Sequence, residues 1–302
     1  MSESKRTAAQ TAPLAAQVTQ QDAPLTAEEK WKRATLSNNF IFYKVMRKHP
    51  DACRRLLEML LNVKIERLQM SQEETIALDH DSKGIRLDIF VKDAGKMFDV
   101  ELQVANTKEL PERARYYQGV MDVDTLKAGQ KYKDLLDSHV IFICLEDIFQ
   151  NKLPVDTFQN ICIEDGQTKL GDRAYKHFFI APICAKMIED AEIKAFFEFL
   201  VSNKASSAYT NELKTYVADA KQSTENKRQF MEWERQRAYD YDDGKEAGIA
   251  IGREEGALQK AVEDATNFLM ENIAPETIAK CTGLPLEKVL ELRQQLAEPA
   301  QA

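Results

Sequence analysis

The chain has 302 residues, 44% hydrophobic and 30% charged, with a formal net charge of −8; this is a globular composition with room for a sizeable core, and its acidity excludes indiscriminate electrostatic binding of nucleic acid. No apolar run approaches a membrane span, Val140-Ile141-Phe142-Ile143-Cys144-Leu145 being about the longest, and the N-terminus lacks the apolar centre of a secretory signal. Cys53, Cys144, Cys162, Cys184 and Cys281 form no C-x-x-C pair, and His49, His80, His139 and His177 form no ligand-spaced pair, so reduced thiols in a cytoplasmic protein are expected.

Residues 1–25, rich in Ala, Gln and Thr without apolar periodicity, are expected to be a disordered tail. Over residues 26–68 ten Lys/Arg face five Asp/Glu, a basic flank that suits either solvated helices or the surroundings of a phosphodiester site. Phe40, Ile41, Tyr43, Val45 and Met46 supply one helical face. Pro50-Asp51 opens a second helix carrying Cys53, Leu56, Leu57, Leu60 and Leu61. A short β or mixed segment lies between Ile65 and Leu78.

A β-hairpin is predicted over residues 84–104. Leu87, Ile89 and Val91 alternate with polar residues, as do Phe98, Val100, Leu102 and Val104, so each run has one buried face. A turn at Ala94-Gly95 pairs Leu87 with Leu102, Ile89 with Val100 and Val91 with Phe98, and a one-residue slip would expose the apolar set. The same register sets Asp88 opposite Glu101, about 5 Å apart, and Arg86 opposite Gln103. Facing carboxylates repel unless a cation lies between them, and a divalent metal would serve. The alternative is a solvated face on which Arg86, Lys92 and Lys96 offset the acids. Asp99, on that face, is either a helper to the site or an exposed acid, and the exposed acid is expected.

A helix is predicted from near Leu110-Pro111, capped at Asn106-Thr107 and running through Tyr116, Tyr117, Val120, Val123 and Leu126 toward Gly129. Its Arg113 and Arg115 suit contacts to backbone phosphates, and its tyrosines suit packing or base stacking. Residues 139–145, with no polar face, predict a strand buried on both sides. Further strands are expected at 158–163 and 175–180, separated by a turn at Asp165-Gly166. From about Lys186 the pattern is helical. Gly244, Gly248, Gly252 and Gly256 form a four-residue stripe that suits either a close helix–helix contact or a flexible linker. Residues 275–289 read as helix, Gly turn, helix: a DNA-binding helix-turn-helix or a capping hairpin. The sum is an α/β protein with a mixed central sheet flanked by helices and a helical C-terminal extension. Its expected divisions are 1–25, 26–185 and 186–302.

An Asp on one strand, then Glu-x-Gln on its partner, then a helix resembles the PD-(D/E)xK nuclease core. Ser37-Asn38-Asn39-Phe40-Ile41-Phe42, Lys83-Gly84-Ile85-Arg86-Leu87-Asp88, Val100-Glu101-Leu102-Gln103 and Arg113-Ala114-Arg115-Tyr116-Tyr117 together resemble the Rpn family of recombination-promoting nucleases, which is also described as transposase-like, over residues 36–180. The resemblance implies a restriction-endonuclease-like core. It implies Asp88 and Glu101 as ligands of Mg²⁺ or another divalent cation, and Gln103 as the residue that places the attacking water. Gln103 stands where the superfamily name has Lys and carries no charge, which leaves charge stabilisation to the metal, Lys83 or Arg86. Lys83, Arg86, Arg113 and Arg115 are the candidate DNA contacts. Glu58 is the nearest match to a further carboxylate on the first helix, or else an exposed helical position. Asn39 stands where some relatives carry Asp. The implied activity is a Mg-dependent DNA endonuclease. A catalytically weak or inactive module for DNA or protein binding is the alternative. DNA and a second copy, docked through the C-terminal helices, are the expected partners, with no membrane. No P-loop, G-x-G-x-x-G, H-E-x-x-H or G-x-S-x-G motif supports another chemistry.

Overall fold

Among the described residues three α-helices come first, five strands follow, one α-helix separates these from three more strands, and α-helices follow the last strand. The computed structural model describes residues 25–70, 75–76, 85–86, 89–93, 95–105 and 107–297. Helices α1 (Ala27–Arg33), α2 (Asn39–Lys48) and α3 (Pro50–Leu61) come first. Thr26 and Glu29 form a capping box on α1, and the Asn38 side chain caps α2 by accepting from the Ile41 N–H at 3.3 Å. Pro50 starts α3, where its missing N–H costs nothing.

The strands are β1 (Gln69–Met70), β2 (Thr75–Ile76), β3 (Ile85–Arg86), β4 (Ile89–Asp93), β5 (Lys96–Gln103), β6 (Asp137–Cys144), β7 (Val155–Phe158) and β8 (Ala174–Ile180). Among the described residues, six of them form one mixed sheet in the order β1-β4-β5-β6-β8-β7, while β2 and β3 pair separately. Strand β5 runs parallel to β6 and β6 parallel to β8; the outer pairings are antiparallel. The parallel step from β5 to β6 needs a crossover, which α4 (Leu110–Thr125) supplies.

The β4–β5 register is the expected one: Ile89 pairs with Val100 and Val91 with Phe98, and Gly95 turns the chain at φ +85°. Arg86 pairs with Thr75 in the small sheet, and Leu87 and Asp88, with their expected pairings to Leu102 and Glu101, lie outside the described residues. Among its described residues the hairpin is also covered on both faces. Helix α4 lies over it, burying Leu110, Ala114, Val120 and Met121 against Phe90, Met97, Val140, Phe142 and Phe178. Asp99 is therefore fully buried and Glu101 nearly so, contrary to the exposed acid expected at Asp99. On the opposite face, α2 packs on β4 and β5.

Three further boundaries differ from expectation. Glu109, not Asn106-Thr107, precedes α4 and makes no side-chain cap, and the helix stops at Thr125. The strand expected at 158–163 lies earlier, as β7, and a lone bridge between Ile161 and Lys169 takes its place. Strand β6 is buried along almost its whole length, as its apolar run required.

Helices α5 (Ala181–Met187), α6 (Ala191–Ser202), α7 (Ala208–Gln222) and α8 (Thr224–Met270) follow. The Tyr209 hydroxyl donates to the Ala52 carbonyl at 2.8 Å, and Lys221 Nζ donates to the Lys32 and Ala34 carbonyls at 2.8 and 2.9 Å, tying α7 to the N-terminal helices. The chain divides into two units, one ending at Met231 and the other beginning at Glu232. In the second unit, Ala265 of α8, Ile278 of α9 (Pro275–Thr282) and Val289 of α10 (Leu286–Ala297) form a small core with Leu284. Gly283 closes α9 at φ +76°, a conformation that favours glycine. The four glycines from Gly244 to Gly256 are helical, not linker. Among the described residues no helix is long and apolar enough to cross a membrane, and all five cysteines are free thiols.

Candidate active site

Alternation along β5 puts Met97, Asp99, Glu101 and Gln103 on the face covered by α4. Arg113, near the start of α4, reaches back over the C-terminal end of that strand. Its Nη2 donates to Glu101 Oε2 at 2.5 Å and to Gln103 Oε1 at 2.9 Å. The Gln103 amide is oriented by two partners, since its Nε2 donates to the Ala105 carbonyl. The guanidinium lies 5.4 Å from the Tyr117 ring and 5.0 Å from the Phe142 ring. The Glu101 side chain is 6% exposed and that of Arg113 29%. One end of this ion pair is thus dry, and the other reaches solvent.

Two oxygens from neighbouring positions of one face therefore converge on a single cationic nitrogen. The donors are a carboxylate and an amide carbonyl, both hard oxygens of the kind that suits Mg²⁺. The donor chemistry fits a divalent cation, with the Arg113 nitrogen standing in for it. One carboxylate does not complete such a site: among the described residues no group of three His, Cys, Asp or Glu side chains is arranged to hold a metal. Asp88, the expected second carboxylate, and Lys83 lie outside the described residues. Arg86 is described only as part of β3.

Other candidates are placed elsewhere. Glu58 is half-buried and accepts the Ile65 N–H at 2.9 Å, holding the turn after α3, which is neither of the roles expected for it. The Asn39 side chain accepts from the Phe40 N–H at 3.2 Å. Lys92 bridges β4 to α4 through Asp124 at 2.8 Å and so does not offset the acids. Arg115 is exposed on α4, available to a phosphate, and Tyr117 packs on the core beneath it. The Cys144 thiol, beside Gln103 in the register, is pushed up to about 12 by burial and is no nucleophile at neutral pH.

Sequence patterns did not reveal that Arg113 closes on Glu101 and Gln103. The available signal was positional: the helix after β5 had to return over the C-terminal ends of the strands, where α/β sheets collect their sites.

Residues 38–179 match the model of a family described as PD-(D/E)XK nuclease family transposase. No curated protein and no solved structure matches the chain.

Proposed function

Through residues 38–179 this chain belongs to the PD-(D/E)XK nuclease family transposases, and from that premise we propose that it is a Mg²⁺-dependent DNA endonuclease centred on Asp88, Glu101 and Gln103. One observation carries the reading: Glu101 Oε2 and Gln103 Oε1 converge on the same cationic nitrogen. Asp88 and Glu101 would hold the divalent cation, which when bound lowers the pKa of its water and offsets charge on the phosphate. Gln103, already fixed by the Ala105 carbonyl, keeps one amide hydrogen to orient the attacking water. Arg113 supplies the positive charge that Gln103 lacks, and its partly exposed guanidinium suits a non-bridging phosphate oxygen. Arg115, Lys83 and Arg86 would steer the DNA backbone.

The test is plasmid nicking in Mg²⁺ by the parent, Asp88→Ala and Glu101→Ala, with both variants expected to lose at least a hundredfold in rate. Equal cleavage by all three would overturn the site. A second reading, an inactive module for DNA or protein binding, is favoured by the guanidinium already seated on Glu101. An inactive parent that still binds DNA would decide for it.

A further inference from the structure

A cavity of about 280 Å³ opens beside the start of α4, bounded by Pro111, Phe149, Phe158, Asn160, Lys176 and Phe178. Three rings form its wall. Phe149 stands 5.2 Å from Phe158 and 5.1 Å from Phe178, and Phe158 stands edge-on to Phe178 at 5.7 Å. Phe178 is buried, whereas Phe158 is 45% exposed. An aromatic ring left this open at the end of an edge strand loses the hydration benefit of burial unless something stacks on it. The polar side of the cavity is organised. Lys176 Nζ donates to Gln118 Oε1 at 2.5 Å, and Asn160 Nδ2 donates to Asp172 Oδ2 at 2.6 Å, which leaves Asn160 Oδ1 and the remaining ammonium hydrogens for a ligand.

The cavity adjoins the candidate site. Pro111 lines one, and Arg113, two residues on, forms the other. The Phe142 ring joins them, 5.4 Å from the Phe178 ring and 5.0 Å from the Arg113 guanidinium. A nucleotide chain with one phosphate on Arg113 therefore brings a neighbouring base within reach of the rings. The volume suits one planar heterocycle and is below that of a drug-sized pocket. Such a base must be unpaired, because a base within a duplex has both faces stacked and its Watson–Crick edge paired.

We propose that the Phe149–Phe158–Phe178 cavity is a subsite for one unpaired nucleobase next to the phosphate held by Arg113, with Asn160 and Lys176 reading its edge. The proposal rests on the nuclease reading in taking DNA as the ligand. It adds a preference for single-stranded, frayed or flapped substrates.

The test uses the full chain in EDTA, so that no cleavage intervenes. Binding is followed by fluorescence anisotropy with a short single-stranded oligonucleotide containing 2-aminopurine and with its blunt duplex. Parent, Phe158→Ala and Phe158→Tyr are compared; position 158 is exposed, so neither variant threatens the core. The parent is expected to favour the single strand and to quench 2-aminopurine. Phe158→Ala should lower the ratio of single-strand to duplex affinity about tenfold and abolish quenching, and Phe158→Tyr should retain both, as a stacking contribution requires. A parent that prefers the duplex, or an unchanged ratio in Phe158→Ala, would overturn the subsite and leave the nuclease reading intact. A parent that binds neither DNA also overturns the subsite, and the nuclease reading is then decided by nicking in Mg²⁺.

Discussion

Removing the guanidinium of Arg113 leaves the Glu101 carboxylate in an almost dry site without its cation. Breaking such a pair costs more than the pair itself contributes, because the surviving charge stays desolvated. Arg113 is partly exposed, so Arg113→Met should cost about 2 kcal/mol once solvent screening is allowed for. Glu101→Gln combined with Arg113→Met should cost less than Arg113→Met alone, since the double variant strands no charge. Urea unfolding of the parent, Glu101→Gln, Arg113→Met and the double variant measures this, and strictly additive losses would show that the two side chains do not act as a pair. Glu101 and Gln103 were legible in the sequence because Glu-x-Gln places both on one face of a strand. Arg113 was legible only as a cation near DNA. Its actual partners follow from the path of α4 back over β5, which no local pattern encodes.

Among the elements, the β4–β5 pairing could be read in advance because side-chain alternation has a period of two and a slip would move every apolar residue to the wrong face. What covers the second face could not be read. Asp99 and Glu101 look like solvated positions in an isolated hairpin and become buried once a parallel crossover helix lies above them. Strand β7 was misplaced for a related reason: as an edge strand of four residues it has little alternation to display. Helix α8 raises a different question through Gly244, Gly248, Gly252 and Gly256. All four are helical, and a Cβ at any of them would meet open space. Replacing each with Ala should therefore stabilise the helix by about 0.5–1 kcal/mol per site, visible as a higher melting temperature in circular dichroism. Self-association along this stripe predicts the opposite sign, with the Ala variants losing both a dimer in sedimentation and its contribution to stability.

At the scale of the whole chain, one source of acid sensitivity lies in the sheet of the unit that ends at Met231. His139 and His177 are buried on adjacent strands, with His139 Nδ1 and His177 Nε2 3.1 Å apart and Thr157 Oγ1 3.1 Å from His177 Nδ1. His139 also stacks between Phe98 and Tyr175, at 5.2 and 5.0 Å. Burial, reinforced by Lys96, pushes His139 down to about 4; burial, reinforced by His139, does the same to His177. Both are therefore neutral in the folded protein at pH 7. The unfolded chain takes up protons below about 6.5 and the folded protein only near 4, so stability is fully present above pH 6.5 and declines as the pH falls toward 4. The loss across that window should be of the order of 3 kcal/mol for the pair, which shares one hydrogen bond and does not titrate as two independent groups. His177→Gln keeps a partner for Thr157 but has nothing to protonate. Its urea midpoint should fall less steeply than the parent's between pH 6.5 and 4, and parallel declines in the two proteins would assign the acid sensitivity to other groups. Because His139 lies on β6, which runs beside β5, and His177 on β8, the next strand of the same sheet, acid loosening of this sheet should also release the Glu101–Arg113 pair, and cleavage in Mg²⁺ should fall over the same window as stability does.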